Sequence, residues 1–272
     1  MPLPAPVDPD GPYDVVRVRD GLTGRSAADL SAMVHAGEVT AVEVAQAHLD
    51  RVDQVEGWTR ALVHVDREHV LAQAAAQDAR LAAGRRPGVL LGVPVVVKDN
   101  IDVDGQVTSC GSKAGGRTAR VDADVTRRLR RAGAVVLGRA NMDELALGAS
   151  TQTSAYGRSH NPHDVRRSSG GSSGGCAVAV AAGESVLAVG TDTGGSVREP
   201  ASQCGVVGMA PTPGTVSMRG VVPFAPGLDR VGPLARTVPD AALLLAVLGA
   251  RPALAGSVAD LDVSGLRIGV PT

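Results

Sequence analysis

The sequence predicts an α/β layer fold. Three observations lead there. Helical and strand-like stretches alternate along the chain, the grammar of layered α/β domains. Apolar residues make up 44% of the 272 positions while Trp58, Tyr13, Tyr156 and Phe224 are the only aromatics, so the core must be built from Ala, Val and Leu. The 34 glycines and 17 prolines favour many tight turns, short of a disordered composition.

The elements follow in order. Residues 1–20 are proline-rich, lack the basic and apolar regions of a signal peptide, and read as a mobile arm. Residues 21–272 read as one domain, with a helical part over 26–84 and a second part over 88–272. Ser26 precedes a helix with Leu30, Met33 and Val34 at helical spacing, ended by Gly37. Thr40 and Glu43 form a capping-box pattern ahead of Val44, Ala47, His48 and Arg51. Asp66 to Ala83 is a third helix, stopped by Gly84 and Pro87.

The pattern then changes. Val89 to Val97 is a buried-strand signal broken by Pro94, and Lys98-Asp99-Asn100 follow at once. Asp124 to Ala132 is helical and Gly133 stops it; Ala134 to Leu137 is a short strand. The run Arg127-Arg128-Leu129-Arg130-Arg131 reads as a solvated helix face. Asn141 to Leu147 reads as helix, and Gly148 to Tyr156 as loop. Ser173 to Ala182 is a helix, Val186 to Val189 a strand, and Val206-Val207 strand-like. Pro239 to Leu248 is a helix, and Leu266 to Val270 a last strand.

Charge and cysteine usage exclude several function classes. With 27 basic and 28 acidic residues the net charge is −1, which argues against direct binding to nucleic acid or an anionic membrane. No apolar run approaches a membrane span. Cys110, Cys176 and Cys204 make no CxxC pair or zinc spacing, and the low odd count fits a reducing cytoplasm. His160 and His163 share a loop without further ligands and read as polar loop residues, so no metal site is expected.

Two Gly/Ser clusters carry the chemistry. The first is Gly170-Gly171-Ser172-Ser173-Gly174-Gly175; the second is Asp192-Thr193-Gly194-Gly195-Ser196. A flexible linker is one reading of the first, but the apolar residues that follow at once speak against it. A phosphate loop is another, but the Gly-Lys-Ser/Thr ending is missing. Successive amides in such turns can form an anion-binding concavity, and a hydroxyl beside one suits nucleophilic acyl transfer. Lys98, at the end of an apolar strand, is either a surface cation or a buried amine; burial lowers a lysine's pKa and leaves a usable base. None of the six histidines, His35, His48, His64, His69, His160 and His163, is placed to serve instead.

These residues carry a resemblance. VKDN at 97–100, GGSSGG at 170–175 and GTDTGGSVREPA at 190–201 resemble the amidase signature family. NMDELALGASTQTSAYG at 141–157, PGLDRVGPLARTVPDAALLL at 226–245 and the closing LRIGVP are family-like too, so the resemblance covers roughly residues 22–272. It implies a mixed β-sheet covered by helices on both faces, with 88–272 as catalytic core and the family's C-terminal part absent. It implies Lys98 as base, Ser172 as a bridging serine held by a cis peptide, and Ser196 as the acyl-forming nucleophile. The amides of Thr193, Gly194, Gly195 and Ser196 would form the oxyanion hole, and Ser173, Thr191, Asp192 and Arg198 would brace the site.

The implied activity is hydrolysis of a small amide without metal or organic cofactor. SMRGVVPFAPGLDRVGP at 217–233 is similar to stand-alone amidases, whereas NMDELALGAS resembles the A-type chain of aminoacyl-tRNA amidotransferases. A third reading is a non-catalytic scaffold. The absent part would leave apolar surface that favours self-association or a partner chain. Cys176 reads as a small core residue.

Overall fold

The computed structural model describes residues 21–256, 262, 264–267 and 269. The expected arm at 1–20 lies outside them. The helical part forms as its caps dictate. Helix α1 (Ala27–Ala36) starts on Ser26, whose hydroxyl accepts from Asp29 N, and ends on left-handed Gly37. Helix α2 (Ala41–Thr59) starts on the complete Thr40–Glu43 capping box. Strand β1 (Leu62–His64) and helix α3 (Arg67–Ala82), capped by Asp66, follow.

The later elements are β2 (Pro94–Lys98), the short β3 (Val107–Thr108) and β4 (Arg117–Thr118), α4 (Asp124–Arg131) and β5 (Val135–Ala140). Then come α5 (Gly174–Ala181), β6 (Leu187–Asp192), α6 (Arg198–Cys204), β7 (Val207–Gly208), β8 (Arg230–Ala235), α7 (Val238–Gly249) and α8 (Ala253–Gly256). Six strands form one mixed sheet in the order β1-β5-β2-β6-β8-β7. Its centre, β5-β2-β6, is parallel, and the flanking pairs are antiparallel.

The expected mixed sheet with helices on both faces is the observed fold. Period-two alternation splits the apolar strands between the faces. Val95, Val97, Leu187 and Val189 join one buried cluster with Leu30, Val44, Leu49 and Leu244. Val96 and Ala188 join the other, built largely on α5 from Cys176, Ala177, Val178, Ala179 and Val180. Cys176 is fully buried there, the core position expected of it.

Several local expectations are corrected. Residues 89–92 are turns rather than strand, because Leu90 N and Gly92 N donate to the carbonyls of Ala132 and Gly133; β2 begins at Pro94, where a missing N–H costs least. The run 141–147 is not a helix. Only Glu144–Ala146 makes a 3-10 turn, because the Asp143 carboxylate accepts from Ser150 N, Thr151 N and Thr153 Oγ1 and draws the chain into a loop.

Strand β8 escapes detection because Gly232 and Pro233 interrupt its apolar run. Pro233 is tolerated because its carbonyl, and so its missing N–H, faces the two-residue β7, where Met209 N donates to it at 3.2 Å. The arginine run on α4 is not a free solvated face: Arg127 pairs with Asp124, Arg130 with Asp122, and Arg128 donates to the Leu248 carbonyl, leaving Arg131 exposed. The expected strand at 266–270 falls partly outside the described residues, and Leu266, Arg267 and Gly269 are not strand.

Candidate active site

Parallel pairing brings the C-terminal ends of β5, β2 and β6 side by side, and in open α/β sheets this is where ligands bind. Val97 is in register with Val189, so the next residues outward are Lys98 on one strand and Gly190 and Thr191 on the other. Lys98 is fully buried. Its Nζ donates to Ser172 Oγ at 2.8 Å, Thr191 Oγ1 at 3.0 Å and the Thr191 carbonyl at 3.4 Å. Asn100 Nδ2 donates to the same Thr191 hydroxyl at 3.0 Å.

Of the two sequence readings of Lys98, the buried amine is the observed one. Burial pushes its pKa down to about 8, against an opposing pull from Cys176, Asp143, Asp192 and Cys110. Burial also pushes the Cys176 thiol up to about 12 and that of Cys110 up to about 11. Near pH 8 both thiols are therefore uncharged, and the counter-charges left to the amine are the two carboxylates.

The loop that delivers Ser172 is held by close backbone approach. The Gly171–Ser172 peptide is cis. A Cβ on Gly171 would overlap Asp143 Oδ2, and one on Gly175 would overlap the Ala61 carbonyl, so these positions accept only glycine. Asp143 N donates to the Ser172 carbonyl at 3.2 Å, and Gly171 N donates to Glu199 Oε2 at 2.7 Å. Ser173 couples the two clusters: its Oγ donates to the Thr191 carbonyl at 3.1 Å and its N to the Ser196 carbonyl at 3.1 Å.

Ser196 sits on a turn organised by Asp192. That buried carboxylate accepts from Gly195 N at 2.9 Å, Val197 N at 3.0 Å and the Arg198 guanidinium at 3.0 and 3.1 Å. Burial works against its charge, but the donors from Arg198 and Val197 outweigh it and hold the carboxyl below its usual range. Because Asp192 occupies the Gly195 amide, that amide is unavailable to an oxyanion, contrary to the sequence expectation. The amides of Thr193, Gly194 and Ser196 make no hydrogen bond to a described residue.

Ser196 is half-buried and lines a cleft of about 350 Å³ with Ala146, Leu147, Ala149, Gly171, Glu199 and Phe224. Its hydroxyl makes no hydrogen bond to Ser172; main chain joins the two loops instead. Lys98 and Ser172 are thus in direct contact, and Ser196 lines the cleft together with Gly171, the residue before Ser172. The loop histidines do not converge: His160 Nδ1 and His163 Nε2 each bond a backbone carbonyl, of Val165 and Cys204.

Three carboxylates at the site were not assigned roles from sequence: Asp143, Glu199 and Asp229. All three lie in family-like motifs, yet their roles appear only in tertiary contacts. Asp229 accepts from Thr193 Oγ1 at 2.5 Å and from Phe224 N and Ala225 N at 2.8 and 2.9 Å. It therefore fixes the turn that carries Ser196 and one cleft wall together. Asp229→Ala is expected to slow acylation of Ser196 about 10-fold, the scale of one or two lost charge-assisted hydrogen bonds, while Asp229→Asn recovers part of the rate. Rates of fluorophosphonate labelling for the two variants check this.

The mixed sheet thus holds a buried lysine in contact with one serine, and a second serine on a glycine-rich turn lines the cleft. The family model described as Amidase matches residues 43–260. The chain belongs to that family. It is 48% identical over 262 residues to the A-type chain of the glutamyl-tRNA(Gln) amidotransferase of Acidothermus cellulolyticus, an alignment covering 92% of this chain and 52% of that protein. Among solved structures it is similar to native peptide amidase from Stenotrophomonas maltophilia, with TM-score 0.78, 36% identity, and coverage of 92% of this chain and 52% of that one. It is also similar to the A-type chain of the glutamyl-tRNA(Gln) amidotransferase from Thermotoga maritima, with TM-score 0.71, 34% identity, and coverage of 86% and 48%. The chain spans about half the length of the relatives it matches. Among the described residues no helix is long and apolar enough to cross a membrane.

Proposed function

We propose that this chain carries the Ser-Ser-Lys centre of an amide hydrolase acting on small amides. The observation that carries the reading is the buried Lys98 amine, 2.8 Å from Ser172 Oγ. In the proposed reaction neutral Lys98 takes the Ser172 proton as Ser172 takes that of Ser196. The Ser196 oxygen bonds to the amide carbonyl carbon. The resulting oxyanion is met by the amides of Thr193, Gly194 and Ser196, each such donor being worth about 3 kcal/mol of barrier. The C–N bond then breaks as the relay returns its proton to the leaving amine. Water, deprotonated by the same relay, attacks the acyl-enzyme and frees Ser196.

Ser173, Thr191, Asp192 and Arg198 position these groups and do not react. The exposed Leu145, Leu147, Phe224 and Leu228 support a partner chain or second copy packed near the cleft.

A second reading is a component of a glutamine-dependent amidotransferase, favoured by the identity to the A-type chains of such enzymes. The two separate on ammonia release. The hydrolase reading expects release from simple primary amides by this chain without a partner. Release from glutamine alone, and only with a tRNA-binding partner, transfers the assignment to the second reading. Absence of covalent labelling by a fluorophosphonate under all conditions leaves only the non-catalytic scaffold.

A further inference from the structure

The cleft beside Ser196 is walled mainly by small or apolar side chains, among them Ala146, Leu147, Ala149 and Phe224. Glu199 is the one ionisable side chain among the described residues that line it. It is held close to the nucleophile: Glu199 N donates to the Gly195 carbonyl at 2.7 Å, and a Cβ placed on Gly195 would lie 3.7 Å from Glu199 Cβ. The carboxylate is also fixed. Oε2 accepts from Gly171 N at 2.7 Å, and Oε1 accepts from Gln203 Nε2. Both donors are uncharged, so they orient the carboxylate without neutralising it.

The nearby cations do not cancel this charge. Arg198 is committed to Asp192. Lys98 lies behind Ser172, outside the cleft lining, and is uncharged in the form that acts as base. A substrate entering the cleft therefore meets one fixed negative charge on an otherwise uncharged wall. Apolar walls lower the local dielectric and lengthen the reach of that charge.

We infer that Glu199 is a specificity-determining residue that favours amides bearing a positive charge near the scissile group and disfavours those bearing a carboxylate there. The inference rests on the proposed acyl chemistry at Ser196 and adds the substrate's charge class to it. Gly171 extends the role of Glu199: the same carboxylate that faces the substrate holds the residue before Ser172, so recognition and the relay share one side chain.

The test uses three alkyl fluorophosphonates of equal chain length, ending in trimethylammonium, methyl or carboxylate. Labelling rates are measured at pH 8.5 for the protein and for Glu199→Gln. Glutamine can still accept from Gly171 N, and rotation of the Gln203 amide can satisfy its new N–H₂ group. The cationic-to-anionic rate ratio is taken within each protein, so a change in overall reactivity cancels. The expected wild-type ratio is roughly 10- to 100-fold, the scale of one charge at several ångströms in a partly wet cleft. It should shrink with added salt and fall to about threefold or less in Glu199→Gln.

A purely structural role for Glu199 would change all three rates together and leave the ratio intact. A wild-type ratio near one, a reversed ratio, or an unchanged ratio in Glu199→Gln overturns the inference while leaving the hydrolase reading standing. Failure of all three probes to label the wild-type protein overturns the hydrolase reading, and the inference with it.

Discussion

Ser196→Ala should abolish covalent labelling by fluorophosphonates and reduce amide hydrolysis by on the order of 10³-fold or more, the usual cost of deleting a nucleophile. The fold should tolerate the change. The Ser196 hydroxyl makes no hydrogen bond to a described residue, and the contact that joins the two serine loops is main chain, from Ser173 N to the Ser196 carbonyl. Thermal unfolding close to wild type, together with lost labelling, would place the effect on chemistry. Labelling retained in Ser196→Ala would move the nucleophile elsewhere.

Lys98→Met should be nearly as damaging, because no other base touches Ser172 among the described residues. The methionine fills similar volume without an ionisable group. Acylation of Ser196 should fall by about 10²- to 10⁴-fold, the range of a lost general base. In the wild-type protein the rate should climb about tenfold per pH unit below pH 8 and level off above it, since only the neutral amine accepts a proton. The methionine variant should lose that climb.

Stability carries a second signature of the same group. The folded protein releases the Lys98 proton near pH 8, whereas the unfolded chain holds it to about 10.5. Between those values the unfolded chain holds this proton and the folded one does not, so the Lys98 contribution to stability should rise with pH, while above about pH 9 the buried Cys110 and Cys176 thiols, still protonated in the fold, pull stability the other way. Below pH 8 both states are protonated and the full cost of burying the ammonium is present. The stability of the wild type relative to Lys98→Met, in which the thiol contribution cancels, should rise from pH 8 to pH 10. Unfolding in urea at pH 7, 8, 9 and 10 reads the difference.

The residues of the candidate site were legible because glycine-rich clusters and a lysine ending an apolar strand are local patterns. Lys98 and Thr191 meet because β2 and β6 are parallel neighbours, and the loop ahead of α5, tied to Thr191 through Ser173, brings Ser172 to the same amine. The caps of α1 and α2 are local as well, and Ser26, Thr40 and Glu43 behave as their side chains dictate. Strand β8 was hidden because its Gly232 and Pro233 imitate a turn; pairing to β6 over its whole length overrides that preference. The run 141–147 carries helical spacing, yet the Asp143 carboxylate offers its loop amides better partners than a helix would. Glu199 and Asp229 escaped for another reason. Their roles arise from amides and hydroxyls brought together by folding, and neither residue type nor spacing marks such contacts in advance. The same holds for Gly195, whose amide belongs to the second glycine-rich cluster but is occupied by Asp192.

The proposed chemistry requires that the amine facing Ser172 be neutral at the pH where the site would work. The protein has two lysines, Lys98 and Lys113, so lysine-selective ¹⁵N labelling yields two side-chain Nζ resonances, assigned with Lys113→Arg. The Lys98 resonance should titrate with a midpoint near 8. A midpoint at the ordinary lysine value of 10.5 would contradict the assignment of Lys98 as base.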